Sequence, residues 1–129
     1  MTTELTVLAL AGLLQVVQFS IYSVLATQQV GFKTSTGPRD EPTILKGTAG
    51  RAQRAMNNHF EGLTLFTLAV VVVTLGDASN AVTAICALVY LAARIAYVPA
   101  YLLGLAPWRS YIWMAALLAT FFMILAALF

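Results

Sequence analysis

Two short stretches of this chain carry charged and hydrogen-bonding side chains into otherwise apolar surroundings. In RAQRAMNNHFEG, residues 51–62, Arg51, Arg54, Asn58 and Glu61 recur at intervals of 3, 4 and 3. At about 100° per residue they fall within an arc of about 80° on one helix face. In the stretch LVYLAARIAYVPAYLL, Tyr90, Arg94, Tyr97 and Tyr101 recur at 4, 3 and 4 and share a face in the same way. Guanidinium and phenol donors then outnumber the single carboxylate, Glu61. Such a surplus suits an anionic, water-borne ligand, which arginine can hold through several donors at once. Interhelical glue, with an ion pair and amide contacts fixing helix register, accounts for the same pattern, and the residue types leave both readings open.

Other polar residues carry less. Asn57 and His59 each lie about 100° from Asn58, off the centre of the stripe, and His59 reads as an ordinary polar contact rather than a general base. Gln15, Gln18 and Tyr22 form a weaker stripe that reads as glue between helices. Cys86 is the one cysteine, so no intrachain disulfide exists and a small core thiol is expected. No zinc-type Cys/His spacing, phosphate loop or nucleophile elbow occurs, and no metal is expected. A net charge of +2 over so few charged residues carries no sign of nucleic acid, and none is expected as a partner.

The elements that position these stripes follow from composition. Of 129 residues, 60% are hydrophobic and 9% charged, with a mean hydropathy of +0.86, whereas soluble domains hold about a quarter charged residues. The chain is therefore read as an integral membrane protein. Four stretches reach the roughly 20 apolar residues that a spanning helix needs, about 5–30, 56–75, 81–103 and 110–129. They predict one four-helix transmembrane domain over residues 1–129, an antiparallel all-α bundle. The first stretch lacks a basic flank and is too long for a signal peptide, so a retained helix is expected. Residues 31–50 form the one sizeable polar loop, with Gly31, Gly37, Pro38, Pro42, Gly47 and Gly50 supplying turns. Ser79 or Asp77 is expected to cap the third span.

Lys33, Arg39, Lys46, Arg51 and Arg54 cluster before or at the edge of the second span, and Arg109 lies between the third and fourth, against Glu4 and Asp77 at the other side. The positive-inside rule then places loops 31–50 and 104–109 in the cytoplasm and both termini opposite. With a rise of 1.5 Å per residue, Glu61 lies about 15 Å beyond Arg51, and Arg94 about 14 Å from the inner end of its span. Two unpaired charges at such depth cost about 5 to 7 kcal/mol on insertion scales. Both are thus expected to face the bundle or a subunit interface, and a contact between Arg94 and Glu61 is expected.

The stripe R-x-x-R-A-x-x-N-x-x-E, here Arg51, Arg54, Ala55, Asn58 and Glu61, resembles the signature of the MAPEG family, membrane-associated proteins in eicosanoid and glutathione metabolism. The segment from Leu88 to Ser110 resembles the family's third helix and following loop, including Arg94, Tyr97, Tyr101, Arg109 and Ser110, and Thr36 to Pro38 resembles the first loop of some members. Length, four spans and the expected topology agree as well, so the resemblance covers nearly the whole chain.

The resemblance implies a left-handed four-helix bundle assembled as a homotrimer, with glutathione as cosubstrate between subunits near the cytoplasmic face. Arg54, Asn58 and Glu61 are implied to contact the peptide, with Arg94, Tyr97, Tyr101 and Ser110 completing the pocket and Arg51 supporting it from the membrane edge. Arg109 is implied to stabilise the glutathione thiolate. The reactions implied are conjugation to lipophilic electrophiles, reduction of lipid hydroperoxides or isomerisation of lipid endoperoxides, with membrane lipid delivering the substrate. Met56, Asn57, Trp113, Gly31 and Phe32 depart from eicosanoid-synthesising members, so the chain looks closer to compact bacterial ones, with the bacterial inner membrane as location. The alternative is a non-catalytic member that binds a lipid or partner protein. A small transporter or channel is a weaker third reading, because its polar stripes would cross the whole membrane.

Overall fold

The computed structural model describes residues 1–41 and 43–129; the turn expected at Pro42 lies outside them. Four long helices and one short one follow in the order α1 (Thr3–Val30), α2 (Phe32–Thr36), α3 (Gly47–Leu75), α4 (Ala81–Leu102) and α5 (Trp108–Leu128). The four long ones have the length and apolarity to cross a membrane. Together they form an all-α antiparallel bundle, joined at alternating ends, with the longest connection, residues 31–46, between α1 and α3.

Local sequence sets the ends. The Thr2 hydroxyl accepts from the Leu5 N–H and starts α1, which stops at Gly31, whose φ of 87° glycine tolerates best. The start of α4 is capped by Asn80, whose side-chain oxygen accepts from Val82 and Thr83 N–H while the Thr83 hydroxyl accepts from Asn80 N–H. The cap is thus Asn80 rather than Ser79 or Asp77, because only Asn80 stands one residue before the first helical turn. Asp77 instead takes a positive φ of 51° in the turn after α3.

The second spanning helix begins at Gly47, not at Met56 as hydropathy alone predicts, and α2 fills part of the expected loop. Polar residues between 47 and 56 lower the hydropathy, yet Ala49, Ala52 and Ala55 recur every third residue and are buried. Ala49 packs with Ala26 of α1 and Leu45, so the polar turns are held by tertiary contact.

The core is built largely from small residues. Ala11, Ala69, Ala87, Ala116 and Ala119 are buried with Val7, Phe66, Val70, Val73, Tyr90 and Met123, which lets the helices approach closely. Large apolar side chains such as Phe19, Leu68, Ile85 and Phe122 point outward, as suits a lipid-facing exterior. Among the described residues α3 and α4 each touch the other three long helices, while α1 and α5 do not meet. The two polar stripes therefore lie on the two central helices.

Candidate functional site

On α3 the face directed at the bundle runs through Ala52, Ala55, Met56, His59, Phe66, Val70 and Val73. Arg51, Arg54, Asn58 and Glu61 occupy its flank: Arg54 and Glu61 are exposed, Arg51 and Asn58 half-buried. On α4, Tyr90, Arg94 and Tyr97 are buried and Tyr101 is half-buried.

Where the first half of α3, the second half of α4 and the start of α5 converge, a cleft of about 240 Å³ is lined by Asn58, Tyr97, Arg109, Ser110 and Trp113. Arginines and tyrosines alternate along its edge. The Arg94 guanidinium carbon lies 4.7 Å from the Tyr97 ring centroid, and that of Arg109 4.8 Å from the Tyr101 ring. The Tyr97 and Tyr101 rings are 5.5 Å apart and tilted by 60°. Arg54 Nε donates to the Tyr101 hydroxyl at 3.1 Å. Each cation thus rests on or beside an aromatic ring, which restrains its side chain without neutralising it.

Arg51 has a different role. Its Nε donates to the Leu102 carbonyl at 3.0 Å and its Nη2 to the Thr48 hydroxyl at 3.3 Å. Carbonyls in the last turn of a helix lack intrahelical donors, so Arg51 satisfies the end of α4 and ties it to α3.

Arg94 is 1% exposed. Its Nη1 donates to Asn58 Oδ1 at 3.0 Å and its Nε to His59 Nδ1 at 3.1 Å, while Nη2 has no partner. The expected contact with Glu61 is not formed. Arg94 projects towards the His59 and Gly62 side of α3, where an added Cβ on Gly62 would lie 3.7 Å from Nη1. Glu61, the preceding residue, points about 100° away from Gly62 and out of the bundle.

His59, read from the sequence as off the stripe, is wholly buried. Because Arg94 Nε can only donate, His59 Nδ1 accepts, and Nε2–H donates to the Ala11 carbonyl at 2.9 Å. A neutral histidine thereby links α1, α3 and α4. The signal was present in its spacing of 4 from Ala55 and 7 from Phe66, which marks the core face. Met56 shares that face and is buried as well.

The MAPEG family profile matches residues 5–129. The chain belongs to the MAPEG family. No curated protein matches the sequence significantly. In this MAPEG protein the cleft brings together Asn58, Tyr97, Arg109 and Ser110 of the residues singled out from the sequence. Arg54 and Tyr101 form a bonded pair across α3 and α4. Arg51 and Arg94 reach the site through other groups, and Glu61 stands on the exposed flank of α3. Trp113, noted only as a departure from relatives, is a wall of the cleft.

Proposed function

We propose that this MAPEG protein is an integral membrane glutathione-dependent transferase or peroxidase acting on lipophilic electrophiles or lipid hydroperoxides. The observation that carries the reading is the cleft itself: Arg109 lies in its wall against Tyr101, with Asn58, Tyr97 and Ser110 beside it and no carboxylate among its lining residues. Such a site favours an anion.

In this reading Arg109 faces the sulfur, and Arg54, Asn58, Glu61, Tyr97, Tyr101 and Ser110 hold the peptide. Arg94 acts through Asn58, whose oxygen it occupies, leaving the amide N–H groups to donate. Arg51 holds the end of α4 in place. Exposed Glu61 is covered by a neighbouring copy in a homotrimer, and the single domain of residues 1–129 lies in a bacterial inner membrane with loops 31–50 and 104–109 in the cytoplasm.

The chemistry follows from charge. A thiol with a pKa of about 8.5 is about 3% thiolate at pH 7, and a guanidinium that lowers it by about two units raises this to about three quarters, about 2.7 kcal/mol of differential interaction. The thiolate sulfur then attacks the electrophilic atom of the second substrate, whose leaving group departs with the bonding pair. The bilayer concentrates that substrate beside the helices.

Glutathione titration tests the proposal. Saturable ultraviolet thiolate absorbance is expected, with loss of the signal in Arg109→Ala. No binding at millimolar glutathione, together with stabilisation by a lipophilic ligand alone, favours the non-catalytic alternative.

A further inference from the structure

His59 is the one histidine of the chain and is not among the residues lining the cleft. It is wholly buried, yet both ring nitrogens are bonded: Nε2–H donates to the Ala11 carbonyl of α1 at 2.9 Å, and Nδ1 accepts from Arg94 Nε at 3.1 Å. Arg94 is held at a second atom, because its Nη1 donates to Asn58 Oδ1 at 3.0 Å. Its guanidinium carbon also lies 4.7 Å from the centre of the Tyr97 ring. Asn58 and Tyr97 both line the cleft. The buried histidine thus stands two hydrogen bonds behind it.

The consequence for Asn58 follows from donor counting. A guanidinium has no acceptor, so the Asn58 atom that meets it is the amide oxygen, and the amide nitrogen is left to the cleft. An asparagine with a free oxygen can turn its amide and offer either group. Held by Arg94, it offers only a donor, which suits a carboxylate or a peptide carbonyl. Arg94 depends on His59 in turn. Its Nη2 has no partner, so without His59 Nδ1 a second nitrogen of this buried guanidinium would be left unpaired. An unpaired buried donor is costly, and a guanidinium held by one bond instead of two can pivot away from Asn58.

We propose that His59 is a positioning residue: through Nδ1 it holds Arg94, and through Arg94 it fixes the Asn58 amide as a donor to a carboxylate or peptide carbonyl of the bound tripeptide. This role rests on the proposed glutathione site. The alternative is a histidine that only ties α1 to α3 and α4.

Two variants separate the roles. His59→Asn keeps an acceptor at the place of Nδ1 and loses the bond to Ala11. His59→Gln puts its amide at the place of Nε2, keeps a donor to Ala11 and loses the acceptor for Arg94. Both should lower the melting temperature of the full chain in detergent, His59→Asn by at least as much because it also leaves ring volume empty. Glutathione affinity, measured by calorimetry, should follow the other order: His59→Gln weakens it about tenfold, while His59→Asn stays within about twofold of wild type. Equal affinities in the two variants, or affinities that fall in step with melting temperature, overturn the role. Should His59→Asn fail to assemble, a double-mutant cycle decides: in an Asn58→Ala background His59→Gln should cost no further affinity, and additive losses overturn the proposal. The wild-type titration separates the two readings. No binding there removes the glutathione site and this role with it, whereas wild-type binding with an unaffected His59→Gln removes the role alone.

Discussion

The two ends of the bundle handle buried charge in opposite ways. At the end carrying the N-terminus, Glu4 is 1% exposed, yet both its oxygens accept from the Ser79 hydroxyl, at 2.9 and 3.0 Å, and one also accepts from the Thr83 hydroxyl. These bonds clasp α1 to the turn after α3 and to the first turn of α4. At the other end Arg51, Arg54, Arg94 and Arg109 crowd the meeting of α3, α4 and α5, and among the described residues none of them hydrogen-bonds a carboxylate. A buried polar network that satisfies itself rigidifies a fold, whereas one with donors to spare is completed by something else. The Glu4 end is a clasp, and in the proposed function the arginine end receives an anion.

Substitutions break or sharpen that contrast. The largest effect is expected from Arg109→Ala, which removes the cation nearest the sulfur in the proposed site. By returning the thiol pKa upward by as much as about two units, about 2.7 kcal/mol, it should cut the thiolate fraction of bound glutathione at pH 7 by up to about 25-fold, read by ultraviolet absorbance, without changing the melting temperature appreciably. Glu4→Ala should do the reverse. It leaves the Ser79 hydroxyl without its acceptor and takes one from the Thr83 hydroxyl, which keeps the Asn80 carbonyl at 2.9 Å, and should cost about 2 kcal/mol in unfolding, while glutathione affinity under folded conditions stays unchanged.

Smaller effects refine the comparison. Tyr101→Phe keeps the ring under Arg109 but removes the acceptor of Arg54 Nε. Glutathione affinity should fall about fivefold, about 1 kcal/mol, as measured by calorimetry. Gln18 is buried on α1 with neither amide atom partnered, so Gln18→Met should be neutral or stabilise by about 1 kcal/mol or less. A marked loss of stability there would mean that the amide has a partner in the assembled protein.

Hydropathy and spacing were enough to read four spans, and the motif residues were enough to read the family. The start of α3 was not legible in hydropathy, because its first turns are held by buried alanines against Leu45 and Ala26 rather than by apolar character. The partner of Arg94 was misjudged for a geometric reason. Depth estimates placed Glu61 level with it, but the direction of each side chain around the helix decides contact, and the core face of α3 runs through His59 and Gly62. The three-residue link from Ala11 through His59 to Arg94 and the approach of Tyr90 and Arg94 to Gly62 depend on helix rotation and close packing. Neither is encoded by any single spacing.

The central claim, that the arginine end receives an anionic thiol and stabilises its thiolate, is tested most directly by the difference absorbance of glutathione on titration into the wild-type protein and Arg109→Ala. The account predicts saturable thiolate absorbance in the wild type and its loss in a folded Arg109→Ala. Absence of the signal in the wild type at millimolar glutathione, or its full retention in the variant, would contradict it.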